Sequence, residues 1–256
     1  MELIVPKNTV VADLTKALEQ IGTGPMLLHV DMLNIGMLDG LKNRSKMCEE
    51  YENVLEELLA NREFILPTFN YDFCKNGIYD VHNSPSQVGA LTDHYRKKYW
   101  HQRTRTPVFN FCVRNKKNFT LEAVENCFGE HSIFAQLVKS DGIVAFLGAD
   151  FSSTTFIHHV EELSDVTYRF HKVFDGTIVD GDKRTHAKLI YRVRPLEPPD
   201  AVVYDWPRLQ VELEAKGLLH TYEVGNGVLR YYRAAAVGAF WITKVFQNPT
   251  YLLKHT

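Results

Sequence analysis

The segment FLGADFSSTTFIHHVEE, residues 146–162, sets two histidines side by side with two glutamates close behind them. If a helix begins near Ser153 or Thr154, His158 shares a face with Glu161 three residues on and with Glu162 four residues on. His159 then points about 100° away. An imidazole with one nitrogen held by a carboxylate and the other free is what a general base requires. A polar surface helix shows the same spacing, so the pattern leaves both readings open. Zinc is not indicated. HHVEE is not HExxH, adjacent histidines on a helix diverge, and no second cluster has ligand spacing. The expectation is no metal.

A second feature is electrostatic. From His94 to Leu121 the chain carries no aspartate or glutamate but holds Arg96, Lys97, Lys98, Arg103, Arg105, Arg114, Lys116 and Lys117. Such a corridor reads either as a solvated helix end and loop or as a local field for a polyphosphate ligand, with Arg103 and Arg105 at its middle. The 29 basic and 31 acidic residues are otherwise balanced, so no basic background supports nucleic-acid binding. Glycine-rich phosphate motifs and the nucleophile-elbow pattern GxSxG are absent from the sequence, and GNG at 225–227 reads as a hairpin turn.

Elements must position these residues. Residues 9–20 carry Val10, Leu14 and Leu18 at helical spacing, and PMLLHVDM reads as a buried strand. NRSKMCEEYENVLEELLANR is helical and EFILPTF is a strand ended by proline. In SPSQVGALTDHYRKKYW, Ser84, Pro85 and Gln87 predict a capped helix start. TPVFNFCV is a strand, TLEAVENCF a helix, a short helix follows Ser132, and DGIVAFLGA is a strand ending in a glycine turn. The alternation predicts an α/β fold, a mixed sheet covered by helices. The histidine segment then follows the carboxyl end of an apolar strand, where open α/β sheets place ligands.

From about residue 166 the texture changes to strands and turns, with DGT and VDGDK as reversals and RPLEPPD as a joint. WPRLQVELEAKG is helical, HTYEVGNGVLRYYRA a hairpin, and a further short helix lies near the end. The expected organisation is one domain over 1–256, with residues 166–256 as a closely packed strand-rich and helical portion. Cys48, Cys74, Cys112 and Cys127 lack CxxC spacing and read as reduced thiols. The N-terminal residues do not read as a secretory signal, and no apolar run is long enough for a bilayer. A cytoplasmic protein without membrane or nucleic-acid partners is expected, and the homo-oligomeric state is left open.

Four blocks carry a family resemblance. They are GTGPMLLHVDMLNIG; REFILPTFNYDF with SPSQVGALTDHYRK; TPVFNFCVRNK; and HSIFAQLVKSDGIVAFLGADFSSTTFIHHVEE with VTYRFHKVFDGTIVDG behind it. Together they resemble the aminoglycoside 3-N-acetyltransferase family, also called the antibiotic acetyltransferase fold, over about residues 9–185. The resemblance implies acyl transfer from acyl-CoA, a cosubstrate and not a bound cofactor, to a sugar amine. It implies His158 as the catalytic base and Glu161 as its acid partner. It also implies cofactor contacts at His29, Asp31 and Ser132, although Ile133 stands where the family has proline. Backbone amides or a hydroxyl near Thr155 are oxyanion donors by location.

The acceptor is a separate question. Aminoglycosides are polycations and call for carboxylates, whereas a nucleotide-linked amino sugar brings a diphosphate and a base that stacks on aromatic rings. The acid-free corridor and the FNYDF segment, with Asn70, Tyr71 and Asp72 as candidate substrate contacts, favour a dTDP-type 3-amino sugar. An aminoglycoside is the first alternative, and a non-catalytic protein binding acyl-CoA or carbohydrate is the second.

Overall fold

The computed structural model describes residues 4–254. Strand β1 (Ile4–Val5) leads into α1 (Lys7–Gln20), which buries Val10, Leu14 and Ala17 along one side. The run MLLHV forms β2 (Met26–Val30), followed by α2 (Met32–Ile35), β3 (Met37–Leu38) and α3 (Arg44–Leu58). Next come β4 (Phe64–Pro67), α4 (Phe73–Asn76), β5 (Ile78–Asp80) and α5 (Ala90–Lys98). β6 (Phe111–Arg114), α6 (Ile133–Lys139), β7 (Ile143–Leu147) and α7 (Ile157–Leu163) follow. The remainder is β8 (Phe170–Asp180), β9 (Lys183–Val193), α8 (Trp206–Ala215), β10 (His220–Val224), β11 (Gly227–Arg233) and α9 (Ala234–Gln247).

The fold is α/β, built on a six-stranded mixed sheet in the order β10-β11-β7-β2-β4-β6. β2 runs parallel to both β4 and β7, and the flanking β6 and β11 run antiparallel. The central strands read as unbroken apolar runs because both faces are covered. Met26 and Leu28 of β2 join the core under α1, α3 and α5, while Leu27 joins the core under α6, α7 and α9. A second sheet, β5-β8-β9, is dominated by the hairpin whose register runs from Phe170 opposite Val193 to Asp180 opposite Lys183. The strands after residue 166 therefore divide between the sheets: β8 and β9 build the small one, and β10 and β11 extend the large one.

Three local expectations give way to tertiary contacts. The helix expected from Ser84 starts only at Ala90. Ser84 Oγ accepts instead from Asp80 N–H, and Gln87 Oε1 accepts from Tyr71 N–H, so the capping box is spent on other segments. TLEAVENCF forms no helix. Its carbonyl at Glu125 accepts from Ile190 N–H, while the Glu63 carboxylate takes the N–H groups of Lys117, Asn118 and Phe119 just before it. DGT is not a reversal but lies within β8, where Gly176 packs so close to the Gly77 carbonyl that a Cβ would sit 2.1 Å away.

Candidate active site

The chain leaves β7 at Gly148, whose φ of +67° and whose closeness to Asp31 O (2.3 Å from a Cβ placed there) admit only glycine. Asp31 N–H donates to Leu147 O at 2.9 Å, which ties the carboxyl ends of parallel β2 and β7 together. A single 3₁₀ turn at Phe151–Ser153 and then α7 carry the chain onward. Residues 146–162 are thus delivered to the end of the sheet where parallel strands leave room for ligands.

On α7, His158 Nδ1 lies 2.7 Å from Glu161 Oε2, so the three-residue spacing is the one used. Glu161 is buried at 1 % side-chain exposure, whereas His158 keeps 26 %. Burial works to raise the Glu161 pKa. The His158 hydrogen bond, the charges of His158 and Arg169, and the Tyr204 hydroxyl outweigh it and hold the carboxyl below its ordinary range. Among the described residues none hydrogen-bonds His158 Nε2. Glu162 faces elsewhere, accepting from Asn126 Nδ2 at 2.8 Å and His171 Nε2 at 3.0 Å. His159 is buried, and its Nδ1 lies 2.6 Å from Phe128 O, which anchors the loop that carries Phe128.

That loop supplies the wall beside the dyad. The Phe128 ring stands edge-on to His158 at 5.2 Å and packs on Phe109 at 4.6 Å. Phe109 in turn meets Tyr191 at 5.3 Å and Tyr71 at 6.2 Å. Phe109 is aimed by Val108, a β-branched residue held at φ +62° with Phe109 N–H reaching back to Pro107 O at 2.7 Å. Such a turn is strained by about 1–3 kcal/mol and persists because Val108 O accepts from Asn70 N–H at 3.0 Å in a fully enclosed setting.

Of the residues expected from sequence, Asn70, Tyr71 and Asp72 meet this wall at Tyr71. Asn70 Nδ2 donates to Pro85 O and Asp72 Oδ2, which fixes the turn that presents the half-exposed Tyr71 ring. Thr155 lies three residues before His158, with its hydroxyl 3.3 Å from Ser153 O. Asp31 caps α2 through Leu33 N–H and lines a cleft of about 730 Å³.

The other expected cofactor contacts are corrected by their surroundings. Ser132 is fully buried, donating to Gly129 O and accepting from Ala135 N–H as the cap of α6. His29 faces the α6–α9 side of the sheet, stacked on Phe146 at 5.2 Å, and burial lowers its pKa to about 4. Arg103 is fully enclosed and donates to Thr68 O and Oγ1, Val81 O, Ser84 O and Asn110 Oδ1, an internal hub closed off from a phosphate in solvent. Arg105 pairs with Asp180 at 2.7 Å.

Much of the basic corridor is likewise paired with acids outside it. Arg96 and Lys97 pair with Asp93, Lys98 with Glu52, and Arg114 with Glu56. Lys116 and Lys117 of the corridor are exposed and have no ion pair with a described residue, and two further unpaired cations stand at the cleft. Lys42 and Arg44, both exposed, line the cleft between the β2 and β7 ends, and neither is ion-paired with a described residue. The same cleft is walled by Met32, Leu33, Met37 and Met47, and Ala149, Asp150 and Ser153 bring it to the turn that enters α7. Phe109, Phe128, Lys42 and Arg44 were not legible as site residues, because they carry no spacing of their own.

A partly open imidazole with one nitrogen on a buried carboxylate can accept a proton at the other. The adjoining cleft offers apolar walls and two cations, a combination suited to a long thiol arm ending in phosphates. Among the described residues no group of three or more His, Cys, Asp or Glu could hold a metal, and no helix is long and apolar enough to cross a membrane.

The sequence model described as Aminoglycoside 3-N-acetyltransferase matches residues 47–245. No curated protein sequence matches the chain. The apoenzyme structure of aminoglycoside acetyltransferase AAC(3)-IVa is 17% identical with a TM-score of 0.72, covering 100% of this chain and 93% of that one. The YokD protein from Bacillus subtilis is 18% identical with a TM-score of 0.73, covering 96% and 95%. The AAC-IIIb binary structure with CoASH is 18% identical with a TM-score of 0.74, covering 95% and 97%. At such identities the structural likeness is one of fold.

Proposed function

The chain belongs to the aminoglycoside 3-N-acetyltransferase family and is an acyl-CoA-dependent N-acyltransferase, and from that premise we propose that His158 is its general base toward the amine of a polycationic amino sugar. The observation that carries the reading is the 2.7 Å contact between His158 Nδ1 and buried Glu161, with Nε2 bonded to none of the described residues.

In this reading acyl-CoA occupies the cleft of about 730 Å³, with its phosphates toward Lys42 and Arg44 and its thioester toward Ser153 and α7. The acceptor amine attacks the thioester carbonyl and passes a proton to Nε2, because an ammonium has no lone pair to give. Glu161 stabilises the imidazolium that forms. The oxyanion needs donors, for which the Thr155 hydroxyl and nearby backbone N–H groups are the candidates. Collapse breaks the carbon–sulfur bond and releases the thiolate, which takes up a proton to leave as CoA thiol.

A polycationic acceptor is supported by three points. Five cations of the basic corridor that favoured a nucleotide-linked sugar, Arg96, Lys97, Lys98, Arg105 and Arg114, are paired with acids of the chain. Glu125 and Glu130, neither ion-paired with a described residue, line a pocket of about 790 Å³ that also reaches Glu162 on α7. The solved structures of this fold include an aminoglycoside acetyltransferase in complex with apramycin. A dTDP-type 3-amino sugar is the second reading. It is favoured by the half-exposed Tyr71 and by the Phe174–Tyr191 stack at 5.2 Å with Lys172 Nζ 5.0 Å from the Phe174 centroid, a surface fit for a base and a phosphate.

Thiol release from acetyl-CoA, measured with apramycin-like polyamines and with dTDP-linked 3-amino sugars, tests the reading. Turnover on the polycations that is lost in His158→Ala is expected. Turnover confined to the dTDP sugars would favour the second reading, and His158→Ala with wild-type turnover would remove the base assignment.

A further inference from the structure

Two more groups converge on the carboxylate that holds His158. Arg169, between α7 and β8, sends Nε to Glu161 Oε1 at 3.1 Å and Nη2 to the Tyr204 hydroxyl at 2.8 Å. Tyr204 donates to Glu161 Oε1 at 2.7 Å, and its oxygen lies 3.3 Å from His158 Nδ1. The two carboxylate oxygens are thus divided: Oε2 serves His158, and Oε1 serves Tyr204 and Arg169.

Tyr204 arrives from forty-three residues beyond Glu161. Its segment is fastened by Lys254 N–H to Val203 O at 2.8 Å and by Asp205 N–H to Leu252 O at 3.1 Å, with Tyr204 bridged to Leu253. The C-terminal strap at 252–254 therefore sets where this hydroxyl stands.

The arrangement constrains the proton on the base. Tyr204 accepts from Arg169 and gives its single hydrogen to Glu161, so it has none to offer Nδ1. Facing two oxygen acceptors, Nδ1 must itself carry the hydrogen, and the lone pair falls on Nε2.

We propose that Tyr204 and Arg169 are positioning residues of acyl transfer, which fix the Glu161 carboxylate and the Nδ1–H tautomer so that His158 presents Nε2 to the acceptor amine. The proposal rests on His158 being the base. The titratable groups around the dyad are Glu161 on the helix of His158, Arg169 and Tyr168 just after it, which face Glu161, and Tyr204 on the segment tied to the strap; Phe128 adds an aromatic edge to the ring. Without the Tyr204 hydroxyl, Glu161 has one donor fewer and its charge bears more fully on His158. The imidazolium is then favoured and the acid limb of the rate profile moves to higher pH.

The test compares kcat, KM and pH profiles of the full chain with those of Tyr204→Phe and Arg169→Lys. Tyr204→Phe is expected to lower kcat about 10- to 100-fold, with KM for both substrates within about twofold, and to move the acid limb upward. Arg169→Lys, which keeps the charge but loses the fork, is expected to lower kcat as well and serves as the readout if the tyrosine variant does not fold. Wild-type kcat, or a fall in kcat with an unmoved acid limb, overturns the proposal, because a loss of stability alone would leave the profile where it is. His158→Ala separates the two readings. If it keeps turnover, the base assignment fails; if it is inactive while Tyr204→Phe behaves as wild type, only the positioning role fails.

Discussion

His158 Nδ1 and Glu161 Oε2 meet at 2.7 Å across one turn of α7, the carboxylate enclosed and the imidazole edge open. Replacing the ring removes the proposed proton acceptor while leaving the cleft proposed for acyl-CoA in place. His158→Ala is expected to lower kcat by about 10²- to 10⁴-fold, and Glu161→Gln by about 10- to 100-fold. Calorimetric titration with CoA checks that binding survives in both; loss of CoA binding in either would show that the dyad belongs to the cleft instead.

Arg103 should behave as a stability residue. Its guanidinium meets five protein acceptors in a fully enclosed site, and Arg103→Met would strand them. A loss of about 3–5 kcal/mol in urea unfolding is expected. A variant that unfolds like wild type but has a raised KM for acyl-CoA would restore the phosphate-contact expectation.

Lys42 and Arg44 should behave in the opposite way. Both are exposed and free of ion pairs with described residues, so Lys42→Ala with Arg44→Ala should change the melting temperature little. KM for acyl-CoA should rise about tenfold, KM for the amine should not, and the salt dependence of acyl-CoA binding should weaken. Steady-state kinetics at two ionic strengths decides it.

His29 predicts an acid weakness. Burial lowers its pKa from 6.5 to about 4, and its Nε2 has no partner among the described residues. Between those values the unfolded chain binds a proton that the folded one refuses, so stability falls as pH drops from about 6.5 toward 4. Of that fall, about 2 kcal/mol between pH 7 and 5 belongs to His29. His159, also lowered by burial first, adds to the same window. His29→Leu should flatten the slope by that amount; parallel urea midpoints for the two proteins at pH 7 and 5 would show the assignment to be mistaken.

Much of the fold is legible because its signals are local. β2, β4 and β7 announce themselves as apolar runs, α3 by its helical composition, and β10–β11 by glycines around an asparagine. The failures have a common cause. Ser84 and Gln87 carry a good capping pattern, but their polar atoms find better partners on Asp80 and Tyr71. TLEAVENCF has helical composition, but its backbone is claimed by Ile190, and the chain just before it by Glu63.

The sequence by itself determined that His158 and Glu161 could share a helical face, since a three-residue step depends only on helix geometry. It also determined that this helix follows a buried strand. What tertiary structure alone decided was the electrostatics. Asp93 is close in sequence to Arg96, but Glu52, Glu56 and Asp180 come from elsewhere to pair Lys98, Arg114 and Arg105, while Lys42 and Arg44 at the cleft have no ion pair with a described residue. Charge acts through space and falls with distance between atoms, not between positions along a chain, so only the folded protein fixes which charges remain for a ligand.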